Sequence, residues 1–362
     1  MRTTIADVAA AAGVSKTTVS RVINAKSDVD AATASRVNQV IETLGYVPST
    51  RAVGLARGRT GAVGMLVPSL SWPWVAEVVQ GVSDALEEAG HGMLLYTGDR
   101  GQESLNRFTT SSNGQAYDGL ILVTPEHALN YVTELHRGGM PVVMVDDRGL
   151  GPNLPTVATT NRQGGADAAS HLLEHGRTRP MVITGPMVYG YSRERLHGFQ
   201  EVFAEAGHPI ASDRIVEGDL HHRRGRSAIA AQLHSGVPFD AVFAHTDLTA
   251  AGAIAELHRQ GLVVPDDIAV VGFDDSEVSW HTDPTLTTVH QPLREMGRTA
   301  TRILLASFNG TALPTAPVML PTTLIAREST LGLSAPLPPE PASVLAVRRR
   351  PDRRAPLDEV EV

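Results

Sequence analysis

The chain has no cysteine in 362 residues. That excludes disulfide scaffolds, thiolate zinc sites, iron–sulfur ligation and cysteine nucleophiles together. Lysine is nearly as scarce: Lys16 and Lys26 are the only two, so almost all of the 31 basic residues are arginine. A Walker loop needs Gly-Lys-Ser/Thr, but Ser15 and Ala25 precede the two lysines, which excludes P-loop phosphate chemistry. A pyridoxal Schiff base or a kinase-type lysine in the large C-terminal part is excluded for the same reason. No Gly-x-Ser-x-Gly occurs, so a hydrolase of nucleophile-elbow type lacks its motif. No run of about 18 apolar residues occurs, and the N-terminal residues carry no apolar export segment. The expected location is the cytoplasm, with no membrane partner.

What remains is a globular chain, 42% hydrophobic and 19% charged, long enough for two or three domains each with its own core. Its charge is unevenly spread. Residues 1–60 hold eight basic groups (Arg2, Lys16, Arg21, Lys26, Arg36, Arg51, Arg57, Arg59) against four acidic ones (Asp7, Asp28, Asp30, Glu42), a net of +4 that leaves −12 for the rest of a chain whose total is −8. A small basic head on a large acidic body suits a polyanionic partner for the head.

Three short helices are legible in residues 3–45. Ile5, Val8, Ala9 and Ala12 recur at helical spacing and stop at Gly13. Ser15 can cap a second helix carried by Val19, Val22 and Ile23, and Asp30 a third carried by Val37, Val40, Ile41 and Leu44 and ended by Gly45. The short Gly13-Val14 link is what a helix-turn-helix requires. At about 100° per residue, Lys16, Thr17, Ser20, Arg21 and Asn24 of the second helix share an arc of roughly 140°. That face holds cations, hydroxyls and an amide, the groups that contact base edges and phosphates, and no acid. A merely solvated helix face is the plain alternative, but such faces normally carry Glu or Asp.

Ile5-Ala6-Asp7-Val8-Ala9, then Ala12-Gly13-Val14-Ser15-Lys16-Thr17-Thr18-Val19-Ser20-Arg21-Val22-Ile23-Asn24, then Leu44-Gly45-Tyr46-Val47-Pro48 resemble the head of LacI/GalR-family transcription factors. The resemblance implies that Lys16, Thr17 and Arg21 read bases in the major groove. It also implies that Thr4, Ser15, Thr18, Ser20, Asn24 and Tyr46 mostly position phosphates. Pro48 opens a hinge of which Leu55, seven residues on, would wedge a central base step from the minor groove. Such a hinge helix is too short to be stable alone and is weakened by Gly54. A plain linker is the alternative, and Arg51 and Val53 depart from the family pattern.

From residue 61 short apolar runs alternate with helical stretches. Expected strands are Ala62–Val67, Met93–Thr97, Gly119–Val123 and Val142–Val145, then Met181–Thr184, Arg214–Glu217, Ala241–Ala244 and Ile268–Phe273. Such alternation indicates parallel sheets covered on both faces, and two series indicate two lobes with a cleft at the strand ends. Thr287–His290 and Val318–Leu324 are expected to cross back between the lobes. Asp118-Gly119-Leu120-Ile121, Arg193 to Phe199, Val264-Pro265-Asp266-Asp267, Val270 to Asp275 and Leu286 to Val289 fall in family order. The resemblance therefore covers residues 3 to about 330. The expected fold is an all-α helix-turn-helix head plus an α/β body of two doubly wound parallel-sheet lobes of periplasmic-binding-protein type. Its divisions are a head at 1–47, a hinge at 48–60, a body at 61–328 and a tail at 329–362. Within the body the N-lobe is 61–159 with 290–317, and the C-lobe is 160–289 with 318–328.

Sugar sites combine an aromatic platform with planar groups that bond paired hydroxyls. Two of the three tryptophans stand in Ser71-Trp72-Pro73-Trp74, just after the first expected strand. Trp in such a loop can stack on a ligand or simply pack a lid. By position in the resembled family, Trp74, Arg193 and Asp274 would face the effector. Trp72, Asp146, Thr246 and Asp247 match cleft positions as well. Asp247 could instead only cap its helix, and Arg193 could pair with Glu194 or Glu201 at the surface. Leu220 stands where members often place a ring and Thr160 where many carry Asp, so the ligand would be gripped differently. A sugar fits best, with a nucleoside or other metabolite left open. His221-His222-Arg223-Arg224 reads as a solvated loop rather than a metal site. The Pro- and Arg-rich tail has no leucine heptad and reads as disordered.

The expected protein is therefore a homodimeric regulator and no enzyme, with no cofactor. Its expected partners are a near-palindromic double-stranded operator and a small effector, a sugar by this reading. The effector either relieves repression or acts as co-repressor.

Overall fold

In a computed structural model of the chain, the residues described are 3–23, 28–46, 59–98, 100–113, 116–124, 128–146 and 154–332. The head is built from α1 (Ile5–Ala12), α2 (Lys16–Ile23) and α3 (Ala31–Leu44). Each start is fixed by a short polar side chain. Thr4 donates from its backbone N and its hydroxyl to Asp7, Ser15 Oγ accepts from Thr18 N at 3.0 Å, and Asp30 accepts from Thr33 N at 2.9 Å. Gly13 and Gly45 end α1 and α3 with φ of 66° and 57°, a conformation that penalises any Cβ. Val8, Val19 and Val37, one from each helix, are fully buried and make the centre of this small core.

The body contains two six-stranded sheets. The first has β1 (Ala62–Val67), β2 (Gly92–Thr97), β3 (Leu120–Val123), β4 (Val142–Val145), β5 (Thr156–Thr159) and β11 (Val318–Leu320), in the order β11-β5-β4-β3-β1-β2, all parallel. The second has β6 (Pro180–Thr184), β7 (Ile215–Glu217), β8 (Ala241–Ala244), β9 (Ala269–Asp274), β10 (Thr287–His290) and β12 (Thr323–Ile325), in the order β12-β10-β9-β8-β6-β7. Only β12 runs antiparallel to its neighbour. Strands β1, β3, β4 and β8 are apolar throughout because helices cover both faces. The helices are α4 (Pro73–Glu88), α5 (Gln102–Asn113), α6 (Leu129–Arg137), α7 (Asn161–Glu174), α8 (Gly190–Glu205), α9 (His222–Ser235), α10 (Asp247–Arg259) and α11 (Leu293–Phe308). A last short helix, α12 (Glu328–Leu331), follows β12.

Two expected boundaries are corrected. Val318–Leu320, expected in the second lobe, pairs with Val157–Thr159 of β5 and so completes the first sheet. The run Val318–Leu324 is thus two strands in different sheets, divided at Pro321, which has no N–H for a continuous ladder. Residues 329–332 are not tail. Ser329 is fully buried, with its hydroxyl donating to Val270 O at 2.6 Å and its N–H to Thr285 O at 2.9 Å. Residues 333–362 lie outside the described residues, as do 47–58 of the head's end and the hinge. The chain therefore passes between sheets three times, near 159–161, 290–293 and 320–323.

Three helix pairs are pinned by reciprocal glycines. A Cβ at Gly81 of α4 would lie 2.0 Å from Arg294 O of α11, and one at Gly297 of α11 would lie 2.2 Å from Val78 O of α4. Gly165 and Gly198 place α7 on α8 in the same way, with gaps of 2.2 Å to Arg195 O and 1.9 Å to Arg162 O. Gly225 and Gly252 do so for α9 and α10, at 2.1 Å from Thr249 O and 2.0 Å from His222 O. A Cβ cannot approach a carbonyl oxygen so closely, so Gly198→Ala must push α7 and α8 apart. The expected cost is about 2 kcal/mol, the range of overpacking in a close-packed interior. Urea unfolding measures it, and an unchanged midpoint would show that the pair separates freely.

Candidate functional site

On the head, Val19 faces the core while Lys16, Thr17 and Arg21 of α2 are exposed, and Ser20 is half-buried. Arg21 pairs with Asp28 at 3.1 Å, both side chains being about half exposed (54%). Ser15 and Thr18 hydroxyls lie 2.9 Å apart at the start of the helix. Tyr46 packs on the head core at the far end of α3, and Thr4 sits at the start of α1. Asn24 and Leu55 lie outside the described residues.

The cleft lies where strands of both sheets end. Among the described residues, the five non-glycine positions with positive φ are Thr124, Asp146, Leu220, Asp274 and Asp275, all at or shortly after strand ends. Asp274 has φ of 110° and Asp146 φ of 58°. Such backbone is sterically costly for a side chain and is held only by strong surroundings, as ligand sites often require.

Those surroundings form a buried polar ring through the crossings. Asp274 accepts from Gln291 Nε2 at 2.8 Å, and Gln291 Oε1 accepts from Thr159 Oγ1 at 2.6 Å. Arg195 Nη1 stands 3.7 Å from Asp274 and donates to His245 O at 2.6 Å. Its Nε donates to Asn161 Oδ1 at 2.8 Å, and Asn161 Nδ2 donates to Asp146 Oδ1 at 3.3 Å. The Arg195 guanidinium also lies 3.6 Å over the Phe273 ring, which suits a weakly hydrated planar cation. Asp146 of the first lobe is thereby linked to Asp274 of the second through residues of two crossings. Burial pushes the Asp274 carboxyl up to about 7; Arg195 and Gln291 pull it back and Asp146 adds to the rise.

Beside this ring stands an aromatic wall. Trp72 and Trp74 have ring centres 6.3 Å apart, and Trp74 meets Tyr191 of the other lobe edge-on at 6.4 Å. Tyr189 and Tyr191 stack at 5.0 Å, and Trp72 packs against these two and Leu220. The pocket between the lobes is lined by Trp72, Pro73 and Trp74 on one side and Leu220, Thr246, Leu248, Asp274 and Ser276 on the other.

The expected effector residues divide accordingly. Trp72, Trp74, Thr246 and Asp274 line this pocket, and Asp146 joins its polar ring. Arg193 does not reach it: its Nη1 donates to the carbonyls of Met187 and Val188, both at 2.7 Å, in its own loop. The arginine beside Asp274 is Arg195, two positions on and on the buried face of α8. Asp247 has both oxygens occupied inside the lobe, accepting from Ser276 N at 2.7 Å, from Ser276 Oγ and from Thr288 Oγ1. Burial pushes its carboxyl well above the usual range, with Asp274 adding to the rise. It clamps the β9 end to α10. Thr246 caps α10 by accepting from Thr249 N at 3.2 Å.

Sequence reading missed Arg195, Asn161, Gln291, Tyr191 and His245. A two-residue shift along α8 would have been needed for Arg195, because helical phase alone separates a buried from an exposed arginine there. His245 is fully buried, and its Nδ1 accepts from Gly185 N at 3.2 Å, so its proton stands on Nε2. Burial first, and then Arg195, holds its pKa well below the usual value, so it is neutral. Among the described residues no group of three or more histidines and carboxylates could hold a metal ion. Nor is any described helix long and apolar enough to cross a membrane.

Residues 4–49 match the family described as bacterial regulatory proteins, lacI family, and residues 169–330 match the periplasmic binding protein-like domain. The chain is 34% identical over 330 residues to the ribose operon repressor of Halalkalibacterium halodurans, spanning 91% of this chain and 98% of that one. It is 36% identical over 336 residues to the regulator CelR of Thermobifida fusca, spanning 91% and 98%. Similar solved structures include a CelR–cellobiose complex (35% identity, TM-score 0.70, 91% of this chain and 100% of that one). They also include a lac repressor dimer bound to operator and the anti-inducer ONPF (28%, TM-score 0.83, 91% and 99%).

Proposed function

Since the chain belongs to the lacI family of bacterial regulatory proteins, and is therefore a DNA-binding transcriptional regulator and not an enzyme, we propose how its cleft controls its head. It works in the cytoplasm as a homodimeric repressor on a near-palindromic operator. A neutral polyhydroxy ligand, a sugar above all, binds between the lobes. The observation that carries this reading is the buried ring of Asp146, Asn161, Arg195, Asp274, Gln291 and Thr159. It offers paired acceptors and donors for hydroxyls, and its two buried carboxylates against one guanidinium disfavour an anion.

Effector contacts are assigned to Trp72, Trp74, Asp146, Arg195, Thr246 and Asp274, with Asp247 as support. On DNA, Lys16, Thr17 and Arg21 read bases, and Thr4, Ser15, Thr18, Ser20, Asn24 and Tyr46 hold phosphates. Leu55 is the minor-groove wedge. A ligand that spans the ring favours one closure angle of the lobes, and by linkage that angle sets how well paired heads fit DNA.

Selection of bound sequences from a random duplex pool at physiological salt tests the DNA half. Enrichment of a palindrome with a central pyrimidine–purine step is expected. No enrichment by folded protein, with and without a metabolite mixture, removes it. The selected duplex then serves to screen saccharides for release.

A pH dependence follows from Asp274. Ligand hydroxyls donate to its ionised form, and its proton is held up to about 7 in the folded protein. Effector affinity should therefore fall as pH drops below about 7, approaching tenfold per unit, and level off above it. The same group lowers stability as pH rises from its unfolded value near 4 toward 7, because only the folded chain retains the proton there. Titrations of release between pH 5.5 and 8.5, the range set by that ionisation, decide it; a flat profile would show that the ligand does not use this carboxylate.

A further inference from the structure

The hinge side of the chain joins the body at residues 59–61, which are held at two points on different elements. Asp118, shortly before β3, accepts from Thr60 N at 2.6 Å, Thr60 Oγ1 at 3.0 Å and Gly61 N at 2.8 Å. Asp118 is itself tied to β1, its N–H donating to Ala62 O at 2.8 Å. On the other side the Arg59 guanidinium donates to the carbonyl of Phe308, the last residue of α11, and lies 5.7 Å from the centre of the Phe308 ring. Carbonyls at a helix C-terminus lack partners within the helix and attract a cation. The last turn of α11 has no basic residue of its own, so Arg59 supplies that cation from outside. Gly119 brings the two points together. A Cβ there would lie 2.9 Å from the Phe308 ring and 3.0 Å from Leu304, so only glycine lets the ring sit beside Asp118.

A chain held at one point swings about it, whereas a chain held at two leaves in a set direction. Twelve residues, 47–58, stand between this clasp and Tyr46 of the head. A free tether of that length spans roughly 20 Å, so without a set direction each head would sample many positions. Resting on the paired-head reading above, we infer that Arg59 and Asp118 are positioning residues for DNA. Their clasp fixes where each hinge leaves the body, and thereby which half-site spacing the dimer accepts. Two heads read a palindrome only when their separation and rotation match those of its half-sites. A fixed exit keeps the effective concentration of the second head high at one spacing and low at the others. The clasp is also anchored to the cleft: α11 runs from the crossing beside Gln291 to Phe308, sixteen residues or about 24 Å.

The test sets the selected operator against two copies of it with one and two base pairs inserted at the centre. Each inserted pair turns the half-sites by about 35° and parts them by about 3.4 Å. Wild-type protein is expected to bind the longer duplexes at least roughly 100-fold more weakly. Arg59→Ala and Asp118→Asn should each narrow that ratio to roughly tenfold or less, with a several-fold loss on the selected operator itself. Arg59 is exposed, and asparagine keeps the size of Asp118 while it sets an amide N–H2 against the donors, so both variants stay folded. Arg59→Lys, which keeps a donor for the Phe308 carbonyl, should restore most of the discrimination. A lobe that was merely destabilised would lower all three affinities alike and leave the ratio unchanged. Wild-type ratios in both variants overturn the inference. An equal loss on all three duplexes, with the salt slope of Arg59→Ala lowered by about one, makes Arg59 a phosphate contact and overturns it too. So does a wild-type protein indifferent to the inserted pairs. A selection that yields no palindrome removes the paired-head reading and this inference with it.

Discussion

Asp274→Asn is expected to abolish release of operator by effector while leaving operator affinity within about threefold, since the head lies on other elements. Asparagine has the size of aspartate, so the buried site stays filled and Gln291 keeps an oxygen to donate to. What disappears is the charge that accepts ligand hydroxyls and faces Arg195 at 3.7 Å. Hydrogen bonds to a charged group contribute about 1.5–3 kcal/mol each, so a sugar that uses two of them loses roughly a hundredfold or more in affinity. The arginine itself retains Asn161 Oδ1 and His245 O, which keeps the lobe folded. Arg193→Ala is the control. Its guanidinium is spent on Met187 and Val188 carbonyls, so release should follow the wild-type titration. If Asp274→Asn releases at the wild-type concentration, the ligand is held elsewhere.

The second large effect lies on the head. Arg21→Ala should weaken binding to the selected operator by roughly 10- to 100-fold, the worth of one bidentate contact to a base. Binding to unrelated duplex should change little, since one phosphate-neutral arginine contributes little there. In the free protein Arg21 rests on Asp28, but both partners are half exposed. An ion pair in water at that exposure contributes at most about 1 kcal/mol, so DNA releases the arginine easily. Measured at two salt concentrations, losses equal on both duplexes would reassign Arg21 to the backbone.

How much of this was legible in the sequence depended on the range of the signal. The helices of the head carry their own instructions, because Ser15, Asp30, Gly13 and Gly45 act within one turn. The strands of the lobes declare themselves as apolar runs, since burial on both faces leaves no alternation. Thr156–Thr159 escaped notice: a four-residue strand with threonine at both ends has no such run, and only its neighbours in the sheet bury it. Val318–Leu324 looked continuous because sequence adjacency hides a change of sheet. The cleft was legible as chemistry but not as geometry. Tryptophans and aspartates stood out, whereas Arg195 was separated from Arg193 only by which side of α8 meets Phe273 and Asn161. Gln291 and Thr159 belong to the site only because two crossings lie side by side.

The reciprocal glycines have a mechanical consequence. Where two helices touch backbone to backbone, no side chains intervene to slide or repack, so each lobe behaves as a splinted plate. Few soft torsions remain inside either plate. The compliance of the body is concentrated at 159–161, 290–293 and 320–323, and the first two of these short segments hold Thr159, Asn161 and Gln291 of the polar ring. A ligand touching that ring therefore writes its message as a hinge angle. Because stiff plates transmit an angle over their whole length, little of the signal is dissipated as local bending before it reaches the far end of the first lobe.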